Sequence, residues 1–88
     1  MAVHLVSYDL NKSGKDYKGL YEVLKSFGYC HYLDSTWLIS TQLTPTELYN
    51  RLSPHIDEND FCLVIKVTSE YYGWLPTDAW DWLKQELG

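Results

Sequence analysis

The run Leu5-Val6-Ser7-Tyr8-Asp9-Leu10 sets one carboxylate and two hydroxyls at the end of an apolar stretch, directly before Asn11-Lys12-Ser13-Gly14. A carboxylate in this position has two roles open to it. It can cap the turn through Asn11 and Lys12, as Asp often does. It can also ligate a divalent cation, although a lone Asp holds Mg²⁺ poorly because that ion takes several oxygen ligands. A two-fold dimer that brings two copies of Asp9 together would remedy this. The shared cation would then activate water against a phosphodiester, with Ser7 and Tyr8 adding hydroxyls.

Other chemistry-bearing residues are more dispersed. His4, His31 and His55 lie far apart, and none has helical i, i+4 spacing to another ligand. Cys30 and Cys62 lack Cys-x-x-Cys spacing and read as buried free thiols of a reducing compartment. Ser7 has no neighbouring base that would make it a triad nucleophile. Asp57, Glu58 and Asp60 form an acidic cluster without calcium-loop spacing and read as a solvated loop. Tyr71-Tyr72-Gly73-Trp74 reads either as a stacking platform or, with few bases nearby, as packing against the domain or its twin.

The elements that must position these residues follow from periodicity. Alternation over residues 2–8 predicts a strand with Val3, Leu5 and Ser7 on one face and His4, Val6 and Tyr8 on the other. Two apolar faces suit a central strand. Tyr17, Leu20, Tyr21, Leu24 and Phe27 form one helical stripe, predicting a helix from about Lys15 to Phe27. Ser13 with Asp16 resembles a capping box, and Gly28 lies where a left-handed C-cap belongs. Tyr29 to Leu33 and Thr36 to Thr41 read as two strands bent at Asp34-Ser35, with one long bent strand as the competing reading. Thr44-Pro45-Thr46-Glu47 starts a second helix, which Pro54 stops. Phe61 to Thr68 is the clearest strand, apolar on both faces in its first half and so central or interfacial. Thr77 caps a last helix from Asp78 to about Leu87.

The order β-α-β-β-α-β with a C-terminal helix is the α+β, ferredoxin-like plan: a four-stranded antiparallel sheet with two helices on one face. The chain is one domain, 1–68 as core and 69–88 as an aromatic-rich extension. The plan leaves a sheet face bare, on which His4, Val6, Tyr8, Cys62 and Val64, or their alternates, would lie. A thin domain with an open apolar face is a candidate homodimer, unless the aromatic tail folds back over it.

Composition bounds the partners. The chain has 88 residues, 45% hydrophobic and 16% aromatic, with seven bases against twelve acids and a net charge of −5. At 10.3 kDa a folded monomer should expose about 5,300 Å². That balance excludes disorder, and no stretch is long and apolar enough to span a membrane. Residues 1–10 lack a basic lead, so a cytoplasmic protein is expected. Lys12, Lys15, Lys18 and Lys25 make a modest basic strip in an acidic chain. This argues against tight nucleic-acid binding by a monomer but leaves room for a dimer that doubles the strip.

Several motifs together resemble the small CRISPR-associated protein of the spacer-acquisition module. They are the strand ending in Tyr8-Asp9, the helix to Gly28, Ser35-Thr36-Trp37, Thr44-Pro45-x-Glu47-Leu48 and the apolar strand at 61–67. Virulence-associated protein D shares that plan. Short bacterial proteins labelled SinR family are similar in their SYDL start and in a segment like Trp74-Leu75-Pro76 with Trp80-Asp81-Trp82. The resemblance implies a ferredoxin-like homodimer with Asp9 at its interface as the divalent-metal ligand, Mg²⁺ or Mn²⁺, for RNA or DNA cleavage. On that reading Ser7 and Tyr8 help position the phosphate, and Lys12 and Lys15 contact the nucleic-acid backbone. The chain departs from the acquisition-module pattern in its acidity, its single arginine, Arg51, and its tail. These departures imply the alternative, a non-catalytic dimeric adaptor or scaffold for a protein partner.

Overall fold

The computed structural model describes residues 1–87. Its elements are β1 (Ala2–Asp9), α1 (Lys18–Lys25), β2 (Gly28–Leu33), β3 (Thr36–Thr41), α2 (Pro45–Leu52), a 3-10 turn over Ser53–His55, β4 (Phe61–Lys66) and α3 (Thr77–Leu87). The strands form one antiparallel sheet in the order β2-β3-β1-β4, which is the ferredoxin-like α+β arrangement. β1 is central, as its two apolar faces predict. Of the two places expected for the apolar β4, central or interfacial, the central one is not taken: β4 is an edge strand, with Phe61, Leu63 and Ile65 exposed on one face.

Strand alternation sorts the core into two layers. Val6 and Tyr8 of β1 and Trp37 and Ile39 of β3 meet Leu20, Leu24, Leu48 and Leu52 of α1 and α2 in the inner core. Each of those four leucines is fully buried and contributes about 1.5–3 kcal/mol. His4, Val6, Tyr8, Cys62 and Val64 thus lie under the helices, and their alternates form the opposite, outer face. There α3 folds back so that Leu83 packs on Val3 and Leu38, with Leu5, Cys30, Tyr32, Leu75 and Trp80 around them. The tail therefore covers the β2-β3-β1 part of the outer face and leaves β4 open.

α2 follows its local code. The Thr44 hydroxyl accepts from Glu47 N–H at 3.1 Å, and the Glu47 carboxylate accepts from Thr44 N–H at 2.9 Å. α1 does not. It starts at Lys18 rather than Lys15, its cap residue Tyr17 makes no side-chain cap bond, and the Ser13–Asp16 box is replaced by Asp16 Oδ1 accepting from Lys18 N–H at 2.9 Å. The reason is long-range: Tyr17 is held by Asp60 across the molecule, so the preceding residues turn, with Gly14 at φ +77, instead of coiling. At the other end Ser26 closes the helix, its hydroxyl donating to Val23 O at 2.6 Å. Gly28 then opens β2 as its first residue without a left-handed backbone.

The accessible surface, 5868 Å², exceeds the roughly 5,300 Å² of an average monomer of this mass. Large apolar side chains contribute to it. Phe61, Leu63 and Ile65 project from β4 into solvent, and Tyr72 and Trp74 project from the loop before α3.

Candidate functional site

Asp9 is the last residue of β1, exposed, and in register with Phe61 of β4. Ser7 precedes it on the same face, paired with Leu63. Together with Tyr8, Phe61, Cys62 and Leu63 they line a shallow depression of about 250 Å³. The turn-capping role that sequence offers Asp9 is performed by another residue. Among the described residues the Asp9 turn is bonded through its carbonyl, which accepts from Asn11 Nδ2 at 3.3 Å. The carboxylate that organises the turn belongs to Asp60.

Asp60 was expected in a solvated loop, yet it is buried. Its oxygens accept from Asn11 N–H at 2.6 Å, Asp57 N–H at 2.7 Å and the Tyr17 hydroxyl at 2.8 and 2.9 Å. Burial pushes its carboxyl up, but those donors, with the charge of Lys15, outweigh it and hold the group below the ordinary value. Tyr17 shows the reciprocal effect: burial, then its bond to Asp60, raises the phenol. The sequence signal for this latch is weak, since its partners stand 43 residues apart. The result is a loop 10–17 pinned to the α2–β4 loop, directly after Asp9.

The remaining expected site residues separate. Tyr8, one residue from Asp9, points to the inner core at 8% exposure. Its hydroxyl accepts from Trp37 Nε1 at 2.9 Å and donates to Asp34 O at 3.2 Å. Burial raises its phenol, a shift the Trp37 bond only partly offsets. Tyr8 therefore holds Trp37, on which His31 stacks at 3.8 Å, and it does not share the face of Ser7 and Asp9. Lys12 is exposed, with its backbone N–H donating to the Tyr17 hydroxyl at 3.2 Å. Lys15 is half-buried and places Nζ 5.6 Å from the Tyr17 ring centroid, so its charge is partly committed to the latch.

Other nucleophiles and ligands are engaged elsewhere. Burial pushes the Cys30 and Cys62 thiols up, which disfavours thiolate chemistry. His4 is buried under the sheet, with Nε2 2.7 Å from Leu43 O. Because a carbonyl only accepts, Nε2 carries the proton, and Nδ1 is left without a partner. Among the described residues no three His, Cys, Asp or Glu side chains gather into a metal-binding group. One chain thus offers Asp9 with the Ser7 hydroxyl beside it, too few donors for a Mg²⁺ ion.

A second concavity lies at the opposite end of β4. It is a groove of about 330 Å³ between β4 and α3, walled by Leu5, Ile65, Val67, Leu75, Trp80 and Leu83. No helix among the described residues is long and apolar enough to cross a membrane. No protein-family model matches the chain.

Proposed function

We propose that this protein is a cytoplasmic homodimer that cleaves RNA or DNA phosphodiesters weakly, using a divalent cation held between the Asp9 carboxylates of two copies. The observation that carries this reading is the placement of Asp9. It is an exposed carboxylate, unoccupied by the turn beside it, at the rim of an apolar half-face that a second copy would cover. The strand-end position also matches the metal ligand of the acquisition-module CRISPR-associated family that the sequence resembles. Asp9 and Ser7 from each copy would supply the donors that one chain lacks. A bound Mg²⁺ or Mn²⁺ supplies Lewis acidity and a more acidic water. The chain's own residues do the rest: Asp9 anchors, Ser7 offers a hydroxyl, and Lys12 and Lys15 lie in the next loop, where a phosphate backbone would pass. Tyr8 acts through Trp37 and the sheet, outside the reacting centre.

Two measurements test the reading. Mn²⁺ titration should give one bound ion per two chains in the parent protein and none in Asp9→Asn. Purified protein with Mn²⁺ should cut single-stranded RNA or duplex DNA, and Asp9→Asn should not. Cleavage that survives in Asp9→Asn refutes the proposal.

The alternative, a non-catalytic adaptor for a protein partner, is favoured by the net charge of −5 and by the exposed Tyr72 and Trp74. It predicts no Mn²⁺ stoichiometry at all.

A further inference from the structure

The loop between β4 and α3 is anchored on alternate residues. Tyr71 stacks on Trp80 with ring centroids 6.1 Å apart, and Leu75 packs into the outer core. Between those anchors Tyr72 and Trp74 are turned outward, at 102% and 98% exposure. Tyr72 lines the groove from its open side, while Trp74 touches little of its own chain. Gly73 and Leu75, the neighbours of Trp74, themselves wall the 330 Å³ groove. A fully exposed indole therefore stands at the lip of an open apolar groove. A knob beside a hole on one surface is self-complementary, which is what a two-fold interface requires.

We infer that the occupant of this groove is the Trp74 side chain of a second copy, inserted reciprocally. Continuity supports this. The groove wall at Ile65 runs on through Leu63 to Phe61, which is 70% exposed, so one apolar surface extends from the groove to the Asp9 end of β4. With Tyr72 and Trp74, its three exposed aromatic rings alone offer roughly 400–700 Å² per copy, to which Leu63 and Ile65 add, against the roughly 800 Å² per partner of a standard stable interface.

Shape agrees. α3 raises the β2-β3-β1 half of the outer face and leaves a step down to β4. A two-fold running parallel to β4 stacks one open β4 face on the other, and each α3 then lies beside the other copy's free β4 edge. Stacked sheets are about 10 Å apart and a helix with its side chains is about 10–12 Å across. One copy's helix and the other's sheet thus share a layer. The same axis sets Asp9 toward Asp9 at one end and exchanges Trp74 at the other. The inference rests on the homodimer of the proposed function but not on its metal.

The test is sedimentation of the full chain. The parent should run at twice 10.3 kDa, and should associate more tightly at 0.5 M than at 0.05 M salt, where the screening lengths are about 4 Å and about 14 Å, because each copy carries −5. Trp74→Ser, as a central aromatic anchor, should weaken the dimer by about thirtyfold or more. Its far-UV spectrum should match the parent's, since Trp74 touches little in its own chain. Leu63→Asn should weaken the dimer independently. Asp9→Asn should keep the dimer mass while losing Mn²⁺ binding, which separates this inference from the catalytic one. A parent that stays at one-chain mass at 100 µM, or a dimer that persists in the Trp74→Ser/Leu63→Asn double variant, overturns the inference.

Discussion

Replacing Leu83 by Ala tests whether the C-terminal helix is part of the cooperative fold. Leu83 is 3% exposed and seats α3 on Val3 and Leu38. Removing three carbons forfeits about 2 kcal/mol of transfer free energy at about 0.8 kcal/mol per carbon. A sealed core would add a cavity penalty, taking Leu→Ala toward 5 kcal/mol. Leu83 also walls the open groove, so the space it vacates joins a solvent-accessible concavity and the penalty is small. The expected cost is therefore about 2–3 kcal/mol. Leu24→Ala, fully buried between α1 and the sheet, should cost about 3–5 kcal/mol. Against about 4–13 kcal/mol of total stability for a chain this long, both are large. Urea unfolding followed by far-UV circular dichroism and by tryptophan fluorescence measures them, at a protein concentration where assembly is held constant. The two probes should give one coincident transition in each variant. A Leu83→Ala loss under 1 kcal/mol, or a helix signal that melts while the inner core stays folded, would show that α3 merely rests on the sheet.

Two further outcomes follow from the inner face and the latch. Tyr8→Phe leaves the buried Trp37 indole N–H without its acceptor and should cost about 1–3 kcal/mol, read as a lower thermal midpoint with an unchanged Mn²⁺ stoichiometry. Asp60 is held below its ordinary carboxyl range by the donors around it. As pH falls, the unfolded chain takes up that proton before the folded one, so the latch contributes fully above about pH 4 and is lost below it. Asp60→Asn should therefore be less stable than the parent at pH 7 and show a shallower acid limb. Equal acid limbs in urea midpoints from pH 6 to pH 2 would refute this.

Legibility in the sequence tracks how local each determinant is. α2 was readable because its box spans Thr44 to Glu47, and β1, β3 and β4 because alternation is a property of neighbours. The same alternation already set Ser7 and Asp9 on one face and Tyr8 on the other, so the separation of Tyr8 from the candidate site was present in the spacing. The start of α1 was not readable, because Tyr17 answers to Asp60 rather than to Ser13. Asp60 itself looked solvated beside Asp57 and Glu58, since only the closed fold brings Asn11 and Tyr17 to it. The side of the sheet that α3 would cover also depended on contacts between Leu83 and residues up to 80 positions earlier, roughly the whole chain, where pattern rules carry little information.

The central position of β1 has a consequence for synthesis. Its hydrogen-bonding neighbours are β3 and β4, both later in the chain, so β1 leaves the ribosome without a partner until Thr36–Thr41 has emerged and is not enclosed until Phe61–Lys66 follows. While the rest of the fold is being made, an apolar, strand-prone segment waits unpaired in the nascent chain, open to holdases or to the same segment on a neighbouring polysome.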